Sequence, residues 1–394
     1  MDWDKKIDSS AVSHSLFLVR GKSARDASGL EGIEEAAPLV LSDEERIERL
    51  EAALAAERES NPGQDRAAQD SRIVASARQA LAKSGQGEPL QNFTVGDNVG
   101  LESVILTDGT RPSLFIQEGF VDVDGADIGD WGMGLSRFEP QIRKVVASVG
   151  RIDIPQQPWF EGTCFVVAEG LVLTNRHVLE TIAAPNEAGG WILKWPDQTT
   201  VNFSGEFESA HATKFRIVGV AFAGPDAINR TVDFTHLDIA ILKVDPGSDP
   251  GNVFPPAVTF EKDSALPKRD RNLYVLGFPG QPYVWRLPGA PGPGSETAQV
   301  IADTFKSRFG YKRLAPGALV AGPGEVLNDA KKWILAHDAS TLGGNSGSCV
   351  VDLGVDGFRI LGLHFAGASR QQNWAHVMGA IKDQLAACSA TFVA

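Results

Sequence analysis

Ser340-Thr341-Leu342-Gly343-Gly344-Asn345-Ser346-Gly347-Ser348 is the stretch around which the rest of the chain is organised. Its serine at 346 is bracketed by glycines, which adopt positive φ at little cost and let another chain come close to the backbone. In such a loop the N–H groups of Gly344 and Ser346 can converge on one point and hold an oxyanion. A serine hydroxyl is a weak nucleophile alone, so the loop requires a base and a third group to orient that base. Ser346 is therefore the candidate nucleophile, and its partners are to be sought upstream.

The candidate base is His177. Two short runs precede it, Phe165 to Ala168 and Leu171 to Thr174, separated by Glu169-Gly170. The pattern predicts a β-hairpin with the histidine just beyond its second strand. The candidate acid is Asp238, which opens the apolar run Ile239-Ala240-Ile241-Leu242 and could lie beside an imidazole under cover. Taken singly, a His or Asp at a strand end is as readily a hydrogen-bonded turn residue. Three such segments in the order His, Asp, Ser form the pattern of a catalytic triad.

With Thr174-Asn175-Arg176-His177-Val178, Leu237 to Leu242 and Gly343 to Ser348 in place, residues 151 to 393 resemble a trypsin-like, chymotrypsin-fold serine peptidase. The nearer likeness is to bacterial members, including the glutamyl endopeptidases. These share Gly-Asn-Ser-Gly-Ser and a downstream block similar to Leu361-Gly362-Leu363-His364-Phe365-Ala366-Gly367. The resemblance implies a mainly β fold of two barrels and an acyl-enzyme mechanism. It makes His177 the general base, Asp238 its orienter and Ser346 the nucleophile, with an oxyanion hole at Gly344 and Ser346. It implies no cofactor and no metal.

The resemblance also bears on specificity. Ser340, six residues before the nucleophile, falls at the base of the primary pocket, where an aspartate would select Lys or Arg. Thr341 and His364 fall where glutamyl endopeptidases receive a substrate carboxylate. An imidazole can donate a hydrogen bond in either protonation state, so Glu, Asp or Gln is expected before the scissile bond. On the residues alone, His364 reads equally as a satisfied interior histidine. Phe365, Ala366 and Gly367 should offer a strand edge to an extended substrate. Two departures stand out. Asn345 replaces the aspartate that captures a new N-terminus in trypsin, so that activation route is not implied. Cys349 stands where many relatives have proline, and Cys164 lies in a neighbouring block. The pair reads as buried free thiols, with a redox pair as the alternative.

Composition sets the remaining bounds. At 394 residues, two domains are the default. A net charge of −13 argues against a nucleic-acid partner, which requires a basic footprint. Three cysteines are too few for a disulfide framework, and secreted trypsin relatives commonly carry several bridges. With no signal-like apolar run near Met1 and no membrane-length stretch, the expected location is the cytoplasm.

Ahead of the peptidase region, residues 1–41 read as a flexible lead-in. Residues 42–140 read as a helical hairpin followed by a small α/β stretch. Ser42-Asp43-Glu44-Glu45 is a capping-box start, and Ile47, Leu50 and Leu54 follow at helical spacing. A second helix is predicted from Asp65 to Lys83. The pair serves either as a docking or self-association element or as packing for its own peptidase domain. The acidic run Asp122 to Trp131 lacks a fixed ligand spacing and reads as a solvated loop, not a metal site. Phe138 to Val146 predicts a linker helix, and the peptidase domain is placed at 141–394. Within it, Trp195 to Arg230 and Pro279 to Gly324 look like insertions, the second centred on the Pro/Gly-rich run 288–294. A polypeptide-cleaving enzyme is the leading reading. A silent binding module on the same scaffold and an esterase using the same triad are the alternatives.

Overall fold

The computed structural model describes residues 4, 6, 42–60, 67–107, 111–125, 128, 131–156, 160–187, 189–228, 232–269, 271–280, 304–368, 372–385 and 390–393. They divide between two compact units. One comprises residues 1–112, 126–130 and 283–308, and the other 113–125, 131–282 and 309–394. The expected lead-in, apart from residues 4 and 6, and the Pro/Gly-rich run at 288–294 lie outside the described residues.

The first unit is built on α1 (Asp43–Ser60), α2 (Ala67–Gly85) and α3 (Val95–Thr107). The capping box forms as expected: Glu45 N–H donates to Ser42 Oγ at 3.2 Å, and Ser42 N–H to Glu45 Oε2 at 2.6 Å. A second box, Thr94 with Asp97, starts α3, and the Asp97 carboxylate also takes Lys83 Nζ at 2.6 Å. Ile47, Leu50 and Leu54 close on Ile73, Ala77, Leu81 and Phe93 to form a buried core. A Cβ on Gly100 would lie 2.3 Å from Ala77 N, so α3 meets α2 at backbone distance and only glycine fits. The predicted hairpin is thus part of a three-helix cluster.

The second unit begins earlier than residue 141. Strand β1 (Leu114–Phe115) pairs with a strand near residue 313, and helices α4 (Gly132–Arg137) and α5 (Glu139–Ser148) follow. The reason is register: Leu114 and Phe115 sit opposite Leu314 and Arg313, with the Arg313 guanidinium over the Phe115 ring at 3.6 Å. Pro140 occupies the first turn of α5, where its missing N–H costs nothing.

The first barrel closes through six strands: β2 (Val149–Asp153), β3 (Phe160–Ala168), β4 (Leu171–Thr174), β7 (Thr200–Asn202), β8 (Lys214–Ala223) and β9 (Ala240–Asp245). A small ribbon, β5 (Ala183–Pro185) with β6 (Trp191–Leu193), lies between β4 and β7 in sequence. Ile152, Val166, Val172, Val201, Phe215 and Leu242 fill the interior. The predicted β3–β4 hairpin forms, with Gly170 at φ +69° in its turn. Trp195 to Arg230 is not an insertion, because it supplies β7 and β8.

After β10 (Thr259–Glu261) the second barrel forms from β11 (Asn272–Gly277), β12 (Arg313–Ala321), β13 (Ile334–His337), β14 (Cys349–Asp352), β15 (Arg359–Ala368) and β16 (Gln372–Val377). The ring runs β11-β12-β13-β16-β15-β14 and closes by β14 on β11. Leu273, Val275, Leu335, Val350 and Leu361 form its core. The second supposed insertion contributes β12, so it too is partly framework. A 3-10 turn (Met378–Ile381) leads into α7 (Lys382–Leu385), and β17 (Thr391–Val393) then pairs parallel to β10. Among the described residues no helix is long and apolar enough to cross a membrane.

Candidate active site

His177 sits at the start of α6 (Arg176–Ile182), directly after β4, and Asp238 lies just before β9. Because β4 and β9 are paired, with Thr174 opposite Ala240, the two residues are delivered side by side. His177 Nδ1 and Asp238 Oδ2 are 2.6 Å apart, and His177 N–H donates to Asp238 Oδ1 at 2.9 Å. One carboxylate thus binds both ring and backbone of the same histidine. Asp238 is buried and His177 is half-exposed. Burial works to raise the Asp238 pKa, but the charge and hydrogen bonds of His177 outweigh it and hold the carboxyl below its usual range.

The Ser346 loop reaches this pair through β3. Thr163 N–H donates to the Ser346 carbonyl at 2.8 Å. A Cβ on Gly162 would lie 2.9 Å from Val178 and 3.0 Å from Ser346 O, so Gly162 sits between the residue after His177 and Ser346 itself. On its other side the loop pairs with β15, Gly347 N–H donating to His364 O and His364 N–H to Ser348 O, each at 2.9 Å.

The loop's glycines are fixed by space as well as by φ. Gly344 stands at φ +92°, and a Cβ there would lie 2.6 Å from Phe278 O. Thr163 Oγ1 donates to Gly344 O at 2.9 Å and accepts from Phe278 N–H at 3.1 Å. The preceding carbonyl, of Gly343, accepts from Gly280 N–H at 2.5 Å. In a planar trans peptide, N–H and C=O point in opposite directions. The Gly344 N–H is therefore turned away from Gly280.

Phe365 and Ala366 line a cavity of about 460 Å³ together with His177, Asp238, Thr181 and Ile228. The β14 ladder along β15 ends at Leu363, while Ala366 and Gly367 pair with β16 on the other side, leaving one edge of 365–367 open among the described strands. Thr341 Oγ1 donates to Asn373 Oδ1 at 2.7 Å, and Asn373 Nδ2 holds Ala339 O at 2.9 Å. Ser340 is half-buried beside them. His364 is 3% exposed and its Nδ1 lies 3.3 Å from His337 Nε2. Burial, with His337 and His177 nearby, pushes the His364 pKa well down, and burial takes His337 down to about 3. Both rings are neutral.

Three contributors were not foreseen in the sequence: Asn175, His337 and His376. Asn175 Nδ2 donates to Asp238 O at 2.9 Å, and Asp238 N–H donates to His376 Nε2 at 3.1 Å. Asn175 belongs to a block already singled out, so a role for it was within reach. His337 and His376 are lone histidines inside apolar strands and carry no sequence signal. Cys164 and Cys349 are buried free thiols; burial raises both, Cys349 to about 12, so neither is a thiolate nucleophile.

Two closed barrels with a His–Asp pair at one and a glycine-bracketed serine at the other define a chymotrypsin-like hydrolase scaffold. The family model of the trypsin-like peptidase domain matches residues 162–358. A probable serine protease of Lysobacter enzymogenes is 30% identical over 398 aligned positions, spanning 95% of this chain and 97% of that one. The chain belongs to the trypsin-like serine peptidases. Among solved structures it is similar to the active form of the Rv3671c protease from M. tuberculosis, at 20% identity over 64% of this chain and 85% of that chain, TM-score 0.35. It is also similar to neuropsin, a serine protease of mouse brain, at 12% identity over 62% of this chain and 96% of that one, TM-score 0.41.

Proposed function

We propose that the protein is an endopeptidase in which Ser346 attacks, His177 moves the proton and Asp238 orients His177. The observation that carries this reading is the double pairing of the Asp238 carboxylate with His177. With Nδ1–H committed to Asp238, the ring presents Nε2 as its basic nitrogen. Nε2 takes the Ser346 proton as Oγ adds to the peptide carbonyl carbon, then delivers it to the departing amine. Water repeats the cycle on the acyl-enzyme. The Gly344 and Ser346 N–H groups receive the oxyanion, a reading supported by the Gly280–Gly343 hydrogen bond that orients the peptide before Gly344.

The primary pocket is assigned to a side chain that accepts a hydrogen bond: Glu, Asp or Gln. The His337–His364 pair supports this. His337 Nδ1 is buried with no partner among the described residues. A buried donor without a partner is rarer than an acceptor without one. His337 therefore carries its proton on Nε2 and donates to His364 Nδ1, which leaves His364 with a donating Nε2–H. Such a group favours a carboxylate or amide oxygen and offers nothing to a Lys or Arg.

The helical unit, with a core of its own, is read as a docking or regulatory element. A fluorophosphonate probe and a diverse peptide library test the assignment. The expected result is an adduct on Ser346 and cleavage after Glu, Asp or Gln. An adduct elsewhere overturns the nucleophile, and a profile led by Arg, Lys or Phe overturns the pocket. Comparison of the full chain with one lacking residues 1–112 tests regulation: equal rates and equal substrate choice remove it.

A further inference from the structure

The main chain of Asp238 is held from both sides by side chains. Its carbonyl accepts from Asn175, two residues before His177, and its N–H donates to His376 on β16 of the other barrel. We propose that His376 is a positioning residue for the triad, seating Asp238 from the second barrel so that its carboxylate meets His177. The inference rests on the reading of Asp238 as the partner of His177.

The cost of the arrangement argues for a purpose beyond packing. Since Nε2 accepts from the Asp238 N–H, the ring proton must sit on Nδ1, which is buried with no partner among the described residues. The opposing clamp has the same flaw: Asn175 Oδ1 is buried and unpartnered. Unmet buried polar atoms cost stability. Both clamps are therefore poor choices for stability alone, and both converge on one residue. Packing fixes the ring rigidly. Phe365 stacks on it at 4.6 Å and 23°, and Trp333 meets it edge-on at 5.6 Å and 86°. Phe365 also lines the cavity that His177 and Asp238 share, so the clamp and the cleft have a common wall.

Two amides differing in reach provide the test in the full chain. In His376→Gln the side-chain oxygen can occupy the place of Nε2; in His376→Asn it falls short of the Asp238 N–H. For His376→Asn the expected result is a fall in kcat of about a hundredfold with little change in KM, as for a small misplacement of a reacting group. The downfield proton resonance of His177 Nδ1–H should shift or broaden, and His376→Gln should recover at least about tenfold of the loss. A folded His376→Asn protein with unchanged kcat and resonance, changed only in melting temperature, overturns the proposal. So do equal rates in the two variants. If His376→Asn does not fold, His376→Gln decides: kcat within about tenfold of the parent supports the clamp, and a folded variant slowed beyond that contradicts it. Asp238→Asn separates the two levels. A loss of about 10⁴-fold there, with none in His376→Asn, sinks the clamp alone. An unimpaired Asp238→Asn sinks the triad reading beneath it.

Discussion

The N–H of Gly280 meets the carbonyl of Gly343 at 2.5 Å, and this contact ties the loop after β11 to the loop that carries Ser346. The peptide between Gly343 and Gly344 cannot flip without breaking it. Gly344, at φ +92° and with no room for a Cβ beside Phe278 O and Gly280 N, completes the lock.

Gly344→Ala is therefore expected to spoil the candidate oxyanion site while leaving both barrels intact. Loss of one such donor lowers kcat by about 10² to 10³. Circular dichroism should be unchanged and fluorophosphonate labelling slowed in parallel. Parental turnover in a folded Gly344→Ala protein would show that the Gly344 N–H receives no charge.

His364 offers a second test. His364→Leu removes the proposed donor from the primary pocket and keeps its volume roughly filled. Selectivity for Glu, Asp and Gln over Leu in matched peptides should drop about tenfold to a hundredfold in kcat/KM, the range for an unmet hydrogen bond. An unaltered cleavage profile would return His364 to the role of an interior histidine.

The buried histidines make stability depend on pH. Burial lowers His376 to about 4 and His337 to about 3, from an ordinary value of 6.5. Below that ordinary value the unfolded chain takes up protons that the folded chain refuses. Stability is thus complete above pH 6.5 and is lost as pH falls, down to about 4 for His376 and about 3 for His337. Each contributes a slope of about 1.4 kcal/mol per pH unit inside its window. His364 adds to the same trend, its pKa being pushed well down. Urea midpoints at pH 7.5, 5.5 and 4.5 should fall steadily, and less steeply in His337→Leu. A flat profile between the first two would contradict this.

What the sequence disclosed follows from how local each signal was. The β3–β4 hairpin, the apolar run of β9 and the Ser346 loop each carry their pattern in a few consecutive residues, so His177, Asp238 and Ser346 could be picked out as candidates. Strand β8 could not, because register shifts between Ile217 and Gly219 and between Val220 and Phe222 break its alternation. Strand β12 was hidden by Pro316-Gly317, which resembles loop chemistry. There, Gly317 is required because a Cβ would lie 2.7 Å from Ala339 N on the neighbouring segment. His337 and His376 meet their partners only after the barrels close, at separations of 27 and 138 residues.

The most direct measurement of the central claim is peptide-library cleavage by the full chain beside its Ser346→Ala counterpart. The account predicts cleavage by the first and none above background by the second, with both folded alike. Equal cleavage by Ser346→Ala would contradict it, because the nucleophile would then lie elsewhere.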